Sequence, residues 1–113
     1  MPYIDAKFSV KVDEKQMTPL AKVITNSITA IPGKTPQYVM VNIEDNCNLF
    51  FRGEETPCAM FEVKLLGAST KSAYQALTAK LCEIAQTELG IEGKDVYVKF
   101  DEVENWGMDS FMF

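Results

Sequence analysis

Histidine is absent from all 113 residues, and that absence excludes more chemistry than any other feature of the composition. No Ser-His or Cys-His nucleophile, no His-Glu-x-x-His zinc site and no imidazole switch can be built. An acid–base enzyme of this composition must draw its base from a carboxylate, Lys, Tyr, Cys or a terminal amine. Positive charge is scarce as well. Eleven Lys+Arg stand against 16 Asp+Glu, a net charge of -5, and the basic residues are scattered as Lys7, Lys11, Lys15 and Lys22 without a cluster. An electrostatic grip on nucleic acid is therefore not expected. Cysteine is limited to Cys47, Cys58 and Cys82, an odd count at no metal-ligand spacing, which reads as reduced, partly buried thiols. There is no apolar run long enough to span a membrane. The opening Met1-Pro2-Tyr3-Ile4-Asp5 has neither a basic region nor an apolar stretch behind it, so a signal peptide is not expected. The expectation is a cytosolic protein, with any extracellular life reached by a leaderless route.

What is present suits one folded domain over residues 1–113, with 47% hydrophobic and 24% charged residues and room for a single core. In residues 3–10, Ile4, Ala6, Phe8 and Val10 alternate with Asp5, Lys7 and Ser9, which predicts a half-buried strand. Met17, Leu20, Ala21, Ile24, Ile28 and Ile31 then fall at helical spacing. The start of this helix has two readings: Asp13 with Gln16 as a capping box, or Thr18 opening a first turn that holds Pro19, the second suiting proline better. Pro32-Gly33 ends it. A second strand is expected over Tyr38–Glu44, a short strand at Leu49–Arg52, and a third long strand over Cys58–Leu66. Tyr74, Leu77, Leu81, Ile84, Ala85 and Leu89 make the stripe of a second helix closed by Gly90. A last strand over Asp95–Asp101 precedes a tail rich in large apolar residues.

The halves repeat. Gly33-Lys34-Thr35-Pro36-Gln37-Tyr38-Val39 echoes Gly93-Lys94-Asp95-Val96-Tyr97-Val98 with a one-residue gap. The expected architecture is α/β (α+β): two β-α-β repeats in one sheet, two helices packed on one face, and a small hairpin inserted. The other face, carrying Asp5, Lys7, Glu62 and Lys64, is either solvated or lines a subunit assembly, and the apolar tail favours assembly.

Individually the candidate chemical groups are ordinary. Pro2 is a strand-opening proline, but if Met1 is removed it becomes a secondary amine. A terminal amine has a reference pKa of about 7.7–8.0, and burial or a nearby cation lowers it further. Lys34 follows a helix C-terminus, where a solvated cation is common. Tyr97 sits mid-strand like any packing aromatic, and Cys58 resembles a small buried hydrophobe.

Together they are more specific. Met1-Pro2 opening a strand, Gly33-Lys34-Thr35-Pro36-Gln37-Tyr38-Val39, Pro57-Cys58-Ala59, Leu66-Gly67, Val96-Tyr97-Val98 and Asn105-Trp106-Gly107 stand in the order found in macrophage migration inhibitory factors of the tautomerase superfamily. The chain resembles that family over essentially its whole length. The resemblance implies a homotrimer whose sheets surround a central channel, with an active site at each subunit interface and no cofactor or metal. It implies that Pro2 is the general base of a phenylpyruvate- or dopachrome-type keto–enol tautomerase acting on small aromatic α-keto acids. Lys34 would hold the substrate carboxylate or the enolate and depress the Pro2 pKa. Leu66 would offer a backbone hydrogen bond, Tyr97 of a neighbouring subunit would flank the substrate ring, and Trp106 and Met108 would line the pocket. It further implies a secreted cytokine-like trimer that binds the class II invariant-chain receptor, either beside the catalysis or in place of it.

Physical chemistry supports the catalytic roles separately. Enolisation needs a base near neutrality and a fixed positive charge where the enolate oxygen develops. The chain also departs from its relatives. Cys58-Ala59-Met60-Phe61 lacks the second thiol of a Cys-x-x-Cys, so thiol–disulfide activity is not carried over. Lys99 stands where many relatives have Asn, and either adds to carboxylate binding or points to solvent. The tail reads Asp109-Ser110-Phe111-Met112-Phe113 rather than the common Asn-Gly-Ser-Thr-Phe. While Met1 remains attached, the Pro2 nitrogen is an amide with no basic lone pair.

Overall fold

The computed structural model describes residues 1–113. Strand β1 (Pro2–Phe8) has a strict period of two, with Pro2, Ile4, Ala6 and Phe8 buried and Tyr3, Asp5 and Lys7 half-buried on the opposite side. β5 (Ala59–Leu66) repeats the pattern, burying Ala59, Phe61, Val63 and Leu65. These two strands form the centre of the sheet and run antiparallel, with Pro2 opposite Leu65 and Phe8 opposite Ala59. β2 (Met40–Glu44) pairs parallel with β1 at one edge, and β6 (Val96–Val103) pairs parallel with β5 at the other, in the order β2-β1-β5-β6. The two β-α-β units thus lie back to back in one sheet. Between β2 and β5, the two-residue strands β3 (Phe50–Phe51) and β4 (Glu54–Glu55) make the inserted hairpin.

Helices α1 (Glu14–Ser27) and α2 (Lys71–Leu89) pack on the buried face of the sheet. Leu20, Ile24 and Ile28 meet Leu77, Leu81 and Ala85 over Ile4, Phe8, Phe61 and Leu65, and Phe8 packs edge to face on Phe61 with centroids 5.6 Å apart. Burying each such side chain stabilises the fold by about 1.5–3 kcal/mol. A one-residue slip of either central strand would turn its whole apolar set outward, so the pairing register is strongly specified. Gly90 closes α2 in the left-handed conformation, φ +67°, and donates its N–H to the Gln86 carbonyl at 3.0 Å. No helix is long and apolar enough to cross a membrane.

Three local expectations are corrected. First, α1 begins at Glu14, capped by Asp13, and does not open at Thr18. The Asp13 N–H donates to Gln16 Oε1 at 3.1 Å, and the Gln16 N–H donates to the Asp13 carbonyl at 2.9 Å. Pro19 lies inside the helix and forfeits the one bond its N–H would have made, while the reciprocal cap satisfies two otherwise unpaired donors. Second, Tyr38 is not in a strand. Pro36 favours a turn, Pro36–Tyr38 forms a short 3-10 helix closed by the Val39 N–H on the Pro36 carbonyl at 3.2 Å, and β2 starts at Met40. Third, the apolar tail is itself a hairpin, β7 (Gly107–Met108) with β8 (Phe111–Met112). Its two turn residues, Asp109 and Ser110, have φ of +52° and +68°, the left-handed pair that matches strand twist in a two-residue loop. The last long strand also runs two residues past Asp101, to Val103.

Candidate functional site

The site grows from the point where β1 begins. Pro2 is buried opposite Leu65, which brings the next residue of β5, Leu66, beside the N-terminus. The Leu66 N–H donates to the Met1 carbonyl at 3.3 Å, and the Leu66 carbonyl accepts from Lys34 Nζ at 3.1 Å. Lys34 reaches this point because Gly33, at φ +82°, reverses the chain after α1, and the Lys34 N–H then donates to the Ile31 carbonyl at 3.2 Å. One residue's backbone therefore ties a half-buried lysine to the chain terminus. The Met1 amine is held below its ordinary value, first by burial, then by the charge of Lys34 and its hydrogen bond. The Met1 amine is thereby pushed toward its neutral, basic form.

Next to this junction lies a cleft of about 550 Å³, lined chiefly by apolar side chains: Met1, Pro2, Tyr3, Gln37, Tyr38, Val39, Met40, Trp106, Gly107 and Met108. The structure brings Pro2, Trp106 and Met108 into one cleft and places Lys34 and Leu66 at the same chain terminus. It does not bring Tyr97 or Lys99 there. Tyr97 is in register with Met60, whereas Pro2 is in register with Leu65, a separation of roughly 16 Å along the sheet. Tyr97 is 61% exposed and stands edgewise on Phe51 with centroids 4.8 Å apart. Lys99 Nζ lies 3.5 Å from Asp101 Oδ1. In a single chain the cleft lacks a wall from β6.

Tyr3, Gln37, Tyr38, Val39 and Met40 also line the cleft, and although Gln37, Tyr38 and Val39 stand in the Gly33–Val39 motif, the motif assigned them no site role. A signal for two of them was present: Tyr38 and Met40 occupy the outward phase of the alternation yet are large and apolar, and they are 47% and 69% exposed. Such side chains on an outward phase mark a contact surface.

The open face of the sheet carries a ladder of compensating charges. Asp5 accepts from Lys7 Nζ and from Asn42 Nδ2, the latter at 2.9 Å. Burial alone would raise the Asp5 carboxyl, but the hydrogen bonds from Lys7 and Asn42 and the lysine charges outweigh it and hold it below the usual carboxylate range. Lys7 is pushed up, chiefly by its bond to Asp5. Lys64 lies 3.7 Å from Glu62 and 4.0 Å from Asp101, so the row continues across three strands. No group of three or more Cys, Asp or Glu is arranged to hold a metal ion. The cysteines are unpaired thiols: Cys58 is buried, while Cys47 and Cys82 are half-buried, and burial raises the Cys82 thiol.

Comparison with known proteins agrees with this fold. The family model described as macrophage migration inhibitory factor (MIF) matches residues 1–111. A macrophage migration inhibitory factor homolog of Brugia malayi is 25% identical over 104 residues, covering 92% of this chain and 90% of the relative. The crystal structure of Leishmania major MIF2 superposes with a TM-score of 0.91 at 23% identity, covering 100% of this chain and 97% of the other. The macrophage migration inhibitory factor of Toxoplasma gondii gives 0.90 at 25% identity, covering 98% and 99%.

Proposed function

The chain belongs to the macrophage migration inhibitory factor family, and from that premise we propose that it is a cofactor-independent keto–enol tautomerase of small aromatic α-keto acids, of the phenylpyruvate or dopachrome type, working as a homotrimer. Its base is the Pro2 amine, free once Met1 is removed. The observation that carries this reading is the junction of Pro2, Lys34 and Leu66 beside an apolar cleft.

The chemistry follows from the groups present. Neutral Pro2 takes the proton from the carbon next to the ketone, and the electron pair of that C–H bond becomes the enolate. Lys34 stabilises the developing negative oxygen or holds the carboxylate. The protonated amine then delivers its proton to oxygen. Trp106, Tyr38 and Met108 keep bulk water from the aromatic ring, which strengthens the interaction with Lys34. The trimer accounts for the separation of Tyr97 from Pro2: head-to-tail closure sets the aromatic end of one subunit against the open cleft of the next. It also covers Met108, Phe111, Met112 and Phe113, which are 52–76% exposed in one chain.

The test is tautomerisation of phenylpyruvate by protein whose mass confirms the loss of Met1. Such protein is expected to be active, Pro2→Gly to be strongly impaired, and a form retaining Met1 to be inactive because its Pro2 nitrogen is an amide. Full activity in Pro2→Gly or in the Met1-retaining form would remove proline from the mechanism.

A further inference from the structure

We infer that Arg52, remote from Pro2 in its own chain, is a positioning residue that fixes Tyr97 as an aromatic wall and so sets the preference for aromatic over aliphatic α-keto acids. The inference rests on the tautomerase reading and adds to it a residue and a determinant of specificity.

Arg52 and Gly53 form the tip of the inserted hairpin, with φ of +55° and +79°. Glycine suits that conformation and arginine does not, so the side chain is placed against a backbone preference. Arg52 uses its guanidinium as a fork. Nη1 donates to Asp95 Oδ1 at 2.8 Å, and Nη2 donates to the Lys94 carbonyl at 2.7 Å. Asp95 is a buried acidic residue, 9% exposed, at the end of the turn that leads into β6. The guanidinium carbon also stands 4.1 Å from the centre of the Phe51 ring, and Phe51 carries Tyr97 on its edge. Asp95, Arg52, Phe51 and Tyr97 therefore form a closed circuit: the hairpin is locked to the start of β6, and the ring two residues further along is braced from the side.

Without the brace, Tyr97 would be an exposed side chain on an edge strand, free to change rotamer. With it, the ring is presented in one orientation, which an aromatic contact needs because edge-to-face and offset arrangements depend on angle. A fixed wall favours a flat aromatic ring and gives little to a branched aliphatic chain, so Arg52 acts on selectivity and leaves proton transfer alone.

Arg52→Gly tests this, since glycine accepts the turn while the fork to Asp95 and Lys94 and the cation over Phe51 are lost. Deuterium exchange at the carbon next to the ketone is followed by NMR for phenylpyruvate and for 4-methyl-2-oxopentanoate, using the Met1-free trimer. Arg52→Gly is expected to raise KM for phenylpyruvate about fivefold with kcat nearly unchanged, and to leave the aliphatic substrate within a factor of about two. Phe51→Ala should reproduce the effect, and adding Arg52→Gly to Tyr97→Ala should change nothing further. Independently of turnover, a 3-fluorotyrosine at position 97 should give a sharper, more averaged 19F signal in Arg52→Gly. An active wild type with an unchanged selectivity ratio in Arg52→Gly, or an unaltered 19F signal, overturns the role of Arg52 alone. An inactive Met1-free wild type overturns the tautomerase reading and the selectivity role with it.

Discussion

Replacing Lys34 by Met removes a charge while keeping the length and the apolar stem of the side chain. Structurally the loss is small. Lys34 is half-buried and its side chain donates a hydrogen bond to the Leu66 carbonyl, so stability should fall by about 1 kcal/mol. Catalytically two effects add. The first is electrostatic: a fixed cation beside an amine disfavours its protonated form and so favours the free base. The charge of Lys34 lowers an amine at the chain terminus, so its removal raises the pKa and moves the acidic limb of kcat/KM to higher pH. The second effect is the lost stabilisation of the enolate, worth about 100-fold for one fixed donor. At pH 7 the variant should therefore be more than about 100-fold slower on phenylpyruvate, recovering toward a 100-fold deficit as pH rises past the shifted limb. The assay is kcat/KM from pH 5.5 to 9.5 on Met1-free protein, with thermal unfolding as the check on folding. Activity within twofold of wild type across that range would refute the role of Lys34, and a uniform loss with no shift of the limb would refute its coupling to the amine.

Two further predictions concern stability. Asp5 has a depressed folded-state pKa, so its contribution is present above its ordinary value of 3.8 and is lost as pH falls below it; Asp5→Asn should cost about 1–2 kcal/mol at pH 7 by urea unfolding, and a deficit that persists at pH 2.5 would contradict this origin. Ser110 holds φ +68° in the terminal hairpin, and the Phe113 N–H donates across it to the Trp106 carbonyl at 2.9 Å. Ser110→Gly should relieve about 0.5–1 kcal/mol of backbone strain and slow exchange of the Phe113 amide about two- to fivefold; an unchanged or faster rate would show that the turn is not strained.

Local patterning determined much of this molecule. The period of two in Ile4, Ala6 and Phe8 specifies which side of β1 is buried, and the helical spacing of Leu20 and Ile24 specifies the inner face of α1, because both follow from where successive side chains must point. The absence of histidine narrowed the choice of base by composition alone. Residue order in the motifs identified Pro2, Lys34 and Leu66, but their meeting at one point was decided by antiparallel pairing of β1 with β5, a contact between segments some sixty positions apart. Helix start and tail were equally non-local or finely balanced. The reciprocal Asp13–Gln16 cap outweighed the pull of Pro19, and a serine entered a conformation that its own preference disfavours. Tyr97 shows the division most clearly. Sequence marks it as a strand aromatic, and only the tertiary structure places it at the far end of the sheet from Pro2, because strand pairing fixes distances that chain order does not contain.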